Sequence, residues 1–229
     1  MGEGIRVGYP TEHVKVFPME SETEARLYFS GPVHDERSLE VLSPLLAEKL
    51  RQAQALLELQ HKAHTDPLTG LLNRRGLERQ TPRLLAQARR ESRPVTLALL
   101  DLDHFKRVND TYGHARGDQV LQTLANVLRS HLRSEDLAVR WGGEEFALLL
   151  YGTKTEEAHA ALERIRSELR NLDGLLEWPL TLSAELAGGR VPASEVEFEG
   201  WIGQADQALM RAKEDGRDRV NLAGLFGES

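Results

Sequence analysis

Leu39, Leu46, Leu50, Ala53 and Leu57 recur in alternating three- and four-residue steps, with Ser43 filling one weak place. That spacing is a heptad seam, and it predicts a helix from about Arg37 to His64. Such a seam packs either on its own domain or against the same helix of a second chain. Asp66-Pro67 predicts the helix end, because a residue before proline avoids the α region. Ahead of the helix, "HVKVFPMESETEARLYFS" (13 to 30) reads as two strands around a polar turn. Two short strands are too little to close a core alone.

From residue 66 onward helical and strand patterns alternate. "LERQTPRLLAQARRES" is helical, with Pro82 predicted to break it or to open a new helix. "PVTLALLDLD" reads as a buried strand ending in acids. Val120, Leu121, Leu124, Val127 and Leu128 mark one face of the next helix. "LAVRW" and "EEFALLLY" read as strands joined across Gly142-Gly143. Thr153 and Glu156 predict a capping box for a helix carrying Ala158, Leu162, Ile165 and Leu169. "PLTLSAELA" is a further strand, and "EGWIGQADQALMRAKEDG" the last helix. The pattern predicts an α/β (α+β) fold, a sheet flanked by helices. Three segments follow: a β segment (1–36), a helical linker (37–65) and the α/β domain (66–229).

The net charge of -7 argues against a nucleic-acid groove but leaves room for a nucleotide, which needs only a few local cations. The chain has no cysteine, so disulfides, thiolate metal sites and cysteine nucleophiles are excluded. The N-terminus lacks an apolar core of signal-peptide length, and runs such as "FALLL" are far too short to span a bilayer. The expectation is a cytoplasmic protein with no membrane segment in this chain.

The chemistry gathers at strand ends. Asp101 and Asp103 are two residues apart and share a strand face. A Gly-Gly pair suits a two-residue hairpin turn, because both positions accept positive φ. Glu144 and Glu145 then open the returning strand. If the hairpin lies beside the Asp101 strand, three or four carboxylates converge and repel one another unless a cation intervenes. Hard oxygen ligands select Mg²⁺ or Mn²⁺. Lys106 stands just past Asp101, while Lys213 and Arg217 lie on or just after the last helix. These residues predict metal-dependent nucleotide chemistry.

"GGEEF" resembles the signature of GGDEF domains, the diguanylate cyclases, in its glutamate variant. "DPLTGLLNRR" (66 to 75), "DLDHFKRVNDTYGHARGDQVL" (101 to 121) and "ADQALMRAKEDGRDRV" (205 to 220) resemble further motifs of that family, in order. The resemblance implies a sheet like the palm of nucleotidyl cyclases and polymerases. It implies condensation of two GTP into cyclic di-GMP and two pyrophosphates. Carried over by position, Asp101, the Leu102 carbonyl and one or both of Glu144 and Glu145 hold Mg²⁺. One of the glutamates also serves near the attacking 3′-hydroxyl. Asn109 and Asp118 read the guanine edge, for which an amide donor and a carboxylate acceptor are suited. Lys106, Lys213 and Arg217, with backbone amides near His104 and Phe105, match phosphate contacts. Gly142 and Gly143 let the backbone approach the nucleotide. "RSED" matches the family's product-inhibition motif, which makes Arg133 and Asp136 an inhibitory site for cyclic di-GMP.

Because each domain holds one GTP, the resemblance also implies a homodimer joined through the helical stalk. Three positions depart from the family's pattern: Glu185 where glycine is usual, Asp218 where asparagine is usual, and Met210 where an aromatic is frequent. The N-terminal segment resembles the last part of a GAF-type sensor domain, with a small unrelated cap as the other reading. A second function also fits these residues: a non-catalytic module that binds cyclic di-GMP or GTP.

Overall fold

The structure, a computed structural model, describes residues 62–172 and 176–222 throughout. It also describes the backbone of 14–17 and 25–28, and residues 45, 48–56 and 59. The chain divides into two units, Met1–His61 and Lys62–Ser229. In the first, β1 (Val14–Phe17) pairs antiparallel with β2 (Ala25–Tyr28), the two strands expected between residues 13 and 30. Residues 48–56 are helical, and Leu50 and Ala53 of the heptad seam are exposed in the single chain. Leu39, Leu46 and Leu57 lie outside the described residues. No helix among the described residues is long and apolar enough to cross a membrane.

The second unit is built on β3 (Val95–Leu102), which is buried along its whole length. Burial on both faces explains why its sequence, Thr96 and Asp101 apart, is apolar and does not alternate. β3 pairs antiparallel with β5 (Glu145–Tyr151) on one side and β6 (Leu182–Gly188) on the other. β4 (Leu137–Gly142) flanks β5, and β7 (Arg219–Leu222) runs parallel to β6, giving the order β4-β5-β3-β6-β7.

Side chains alternate across the sheet. Ala98, Leu100 and Leu102 join one core layer with α2 (Phe105–Tyr112), α3 (His114–His131) and α4 (Thr155–Arg170). Val95, Leu97 and Leu99 join the other with α1 (Arg74–Arg90) and α5 (Glu195–Glu214). The apolar faces predicted for α3 and α4 are buried in the first layer. This is the expected mixed α/β sheet flanked by helices. Neither the eight-residue α2 nor β7 has a pattern long enough to announce itself.

Two local expectations are corrected. Pro82 neither breaks nor opens a helix, since α1 runs straight through it. Proline removes one donor, and the carbonyl it would have served belongs to exposed Glu78, where water can reach. The Thr81 hydroxyl meanwhile donates to the Leu77 carbonyl at 2.9 Å. The capping box before α4 is shifted by one residue. Lys154 is the N-cap, its N–H donating to the Glu157 carboxylate at 3.1 Å. Thr153 is drawn away, its hydroxyl donating to the Tyr151 carbonyl at 3.3 Å.

Candidate nucleotide site

The GGEEF hairpin folds differently from the sequence expectation. A register shift at Trp141 carries Gly142 into β4, where it pairs with Glu145. The two-residue turn is therefore Gly143-Glu144, and Gly143 takes the left-handed conformation (φ +47°). Of the two glutamates, Glu145 alone begins β5, directly opposite Asp101. Glu144 sits in the turn, its carbonyl accepting from the Leu102 N–H at 3.2 Å. A bracket steadies this turn. Arg140 donates to both carboxylate oxygens of Asp66 at 3.1 Å and to the Gly143 carbonyl at 2.8 Å. Asp66 opens the "DPLTGLLNRR" motif, so that motif buttresses the signature hairpin.

Asp101 is the centre of the site. It is only 3% exposed, and its carboxylate accepts from the Lys213 ammonium at 2.7 Å. Burial pushes its carboxyl up to about 6; Lys213 pulls it down, and the charges of Glu144 and Glu145 push it further up. Asp101, Lys106, Glu144, Lys213 and Arg217 line one open pocket. His104, Arg107 and Asp110 line it too, the last two unforeseen from sequence. His104 has a left-handed backbone (φ 58°) and starts α2 without a side-chain cap. The first amides of that helix are the kind of donor that phosphate groups seek. The Phe105 side chain is buried in the core, which leaves its backbone for that work.

The four-carboxylate cluster is not what the structure shows. Asp103 lies past the end of β3 and serves as a clasp. It accepts from the Ser183 hydroxyl at 2.7 Å, the Thr181 hydroxyl at 2.9 Å and the Asp218 N–H at 2.9 Å. Among the described residues no three His, Cys, Asp or Glu side chains gather closely enough to hold a metal ion. Lys213 instead supplies the positive charge at Asp101. The donor chemistry still suits magnesium: the Asp101 carboxylate, the Leu102 carbonyl and the glutamates are hard oxygens at one sheet end.

Asn109 and Asp118 do not line this pocket. Asn109 of α2 lies instead against Gly117 of α3, and Asp118 is exposed beside it. A Cβ at Gly117, the neighbour of Asp118, would come within 2.0 Å of the Asn109 Oδ1. Gly142 and Gly143 line a separate cavity with Asp66, Arg74 and Arg140. Arg133 and Asp136 stand apart from both. The Asp136 carboxylate accepts from the Arg133 N–H at 2.9 Å and the Tyr151 N–H at 3.0 Å. It thereby ties the exposed "RSED" turn to the end of β5.

Glu185 is buried in β6 at 3% exposure, and its Oε2 has no hydrogen-bond partner. Burial raises its carboxyl from 4.5 to about 7, against the pull of Arg211 and a hydrogen bond with Asn221. A raised carboxyl favours the neutral form in the fold. Its stabilising share is present below the unfolded value and lost as pH rises through about 7. Glu185→Gln should therefore be more stable than the parent at about pH 8, by on the order of 2 kcal/mol. Thermal melts should show that gap closing below about pH 5. A gap independent of pH would mean that Glu185 is not buried as a neutral acid.

A buried acid near the end of a central strand, beside cations and a helix N-terminus, is an arrangement whose chemistry suits a phosphate-bearing ligand. A profile of the family described as "Diguanylate cyclase, GGDEF domain" matches residues 63–219, and the chain belongs to that family. It is 41% identical over 174 residues to the diguanylate cyclase DgcP of Pseudomonas aeruginosa, covering 73% of this chain and 25% of that protein. It is 36% identical to the diguanylate cyclase DgcM of Escherichia coli, covering 85% and 47%. The chain thus spans half or less of the length of these two relatives. Among solved structures it resembles the coiled coil and GGDEF domain of DgcB from Caulobacter crescentus in complex with c-di-GMP. The TM-score is 0.72 at 33% identity, covering 81% of this chain and 100% of that one. It also resembles the active GGEEF domain of a Vibrio cholerae diguanylate cyclase (TM-score 0.61, 30% identity, 67% and 98% covered).

Proposed function

We propose that this protein is a diguanylate cyclase that condenses two GTP into cyclic di-GMP and two pyrophosphates. The observation that carries the reading is Asp101: a buried carboxylate opposite Glu145, in one pocket with Lys106, Lys213 and Arg217. Asn109 and Asp118 hold the guanine. Lys106, Lys213, Arg217 and the first amides of α2 hold the triphosphate and neutralise charge as pyrophosphate leaves. Asp101, the Leu102 carbonyl and the glutamates hold Mg²⁺ or Mn²⁺. When bound, the metal supplies Lewis-acid activation of the 3′-hydroxyl and of the α-phosphate. The 3′-hydroxyl of each GTP gives up its proton to solvent beside one of Glu144 and Glu145, its oxygen forms a bond to the α-phosphorus of the other GTP, and the bond from that phosphorus to pyrophosphate breaks.

Two domains must face each other, so we assign the heptad helix to a homodimer stalk. A cytoplasmic location suits a protein that consumes GTP. Incubation with GTP and Mg²⁺, with separation of the nucleotides, tests the reading. Cyclic di-GMP should accumulate, with specific activity rising with protein concentration. The Lys213–Asp101 ion pair favours a second reading, a module that binds GTP or cyclic di-GMP without turnover. A folded dimer that binds GTP but releases no pyrophosphate would decide for it.

Arg133 and Asp136 form the product-inhibition site in this proposal. Arg133→Ala should weaken cyclic di-GMP binding about tenfold, the loss of one charge-assisted contact. The initial rate should stay unchanged, because the turn is outside the Asp101 pocket. Asp136→Ala should also lower stability by about 1 kcal/mol, since two backbone N–H groups lose their acceptor. Progress curves of the Arg133 variant that bend as early as the parent's would make "RSED" a plain surface turn.

A further inference from the structure

We propose that Asp218, gripped by Arg166 and Arg170 of α4, is a positioning residue that aims Arg217 at the GTP phosphates; this rests on the cyclase reading above. The turn after α5 is unusual. Gly216, Arg217 and Asp218 have φ values of 112°, 60° and 46° in succession. Glycine tolerates that region, whereas the two L side chains do not adopt it without support from their surroundings.

The support comes from three elements. The Arg217 N–H donates to the Ala212 carbonyl of α5 at 3.1 Å. The Asp218 N–H donates to Asp103, which β6 and its approach hold through Ser183 and Thr181. Arg166 donates to the Asp218 carboxylate at 2.7 Å and to its backbone carbonyl at 3.2 Å. Arg170 takes the other carboxylate oxygen at 2.8 Å. Arg166 is itself oriented by Glu163 at 2.7 Å.

Arg217 lines the Asp101 pocket, while Asp218 points its carboxylate away to α4. The two neighbours thus face opposite ways across one strained turn. A carboxylate offers an acceptor oxygen to each guanidinium; an amide at 218 would offer one. The departure from asparagine at this position is therefore matched on α4 by a pair of arginines.

The test is a double-mutant cycle read by binding. GTP with Mg²⁺ is titrated into the full chain by calorimetry, and guanosine, which has no phosphate, by NMR. Arg166→Ala should weaken GTP five- to tenfold and leave guanosine within twofold. In an Arg217→Ala background the same change should cost less than twofold, because nothing remains to be aimed. If Arg166→Ala loses its cooperative melt, the cycle is run with Asp218→Asn, which keeps a side chain of the same shape. Equal losses in both backgrounds, equal losses for GTP and guanosine, or no loss would each overturn the positioning role. A parent protein that binds no GTP would instead overturn the cyclase reading, and this inference with it.

Discussion

Asp101→Asn should abolish cyclic di-GMP formation, lowering kcat by roughly a thousandfold or more. Metal activation of a phosphoryl centre is worth several kcal/mol, and each 1.4 kcal/mol or so is a factor of ten. Asparagine keeps the shape and one oxygen but gives up the anionic ligand. The fold should survive the change. Asp101 stands near the end of a strand whose other residues are packed apolar groups and the hydrogen-bonded Thr96, and those are untouched. The lost ion pair with Lys213 is the main cost, and Lys213 is partly exposed and can turn to water. Pyrophosphate release at saturating GTP and Mg²⁺ gives the rate, and a thermal melt within a few degrees of the parent confirms the fold. A variant with a tenth or more of the parent's activity would remove Asp101 from the metal site, and with it the principal support for turnover.

The sheet and its layers were legible because burial writes a period into the chain. β3 reads as a strand because both of its faces are covered, and the apolar faces of α3 and α4 are the ones found buried. Legibility fades where a feature depends on partners far away in sequence. The GGEEF turn slips by one residue because Trp141 bulges, and the bulge belongs to the β4–β5 register. Asp103 looks like a second ligand beside Asp101. Only the folded chain shows that Thr181, Ser183 and Asp218 claim its lone pairs. Arg140 carries no motif of its own, yet it joins Asp66 to the signature hairpin. For Asp103 and Arg140 the sequence supplies a polar residue of the right kind, and the pairing that defines its work is a property of the fold.

Asp118→Ala should cut kcat/KM for GTP by about a hundredfold and erase most of the preference for GTP over ATP. A site that hydrogen-bonds a base edge rejects an analogue lacking the matching groups by roughly 10⁴, because its buried polar atoms are left unpaired. Adenine presents no N1–H or N2 donors to a carboxylate and offers Asn109 the wrong edge. In the proposal Asn109 and Asp118 read the base, and the Asn109 amide lies against Gly117, the residue before Asp118. Gly117→Ala provides an independent handle. Its Cβ would fall 2.0 Å from the Asn109 Oδ1, so Asn109 must move while Asp118 keeps its identity. Both variants should lose discrimination, whereas metal dependence, measured as the Mg²⁺ concentration for half-maximal rate, should stay near that of the parent. Comparable use of ATP and GTP by the parent would show that Asn109 and Asp118 do not read the base. So would a GTP-to-ATP ratio left unchanged by Asp118→Ala, and guanine recognition would then have to come from residues lining the Asp101 pocket itself.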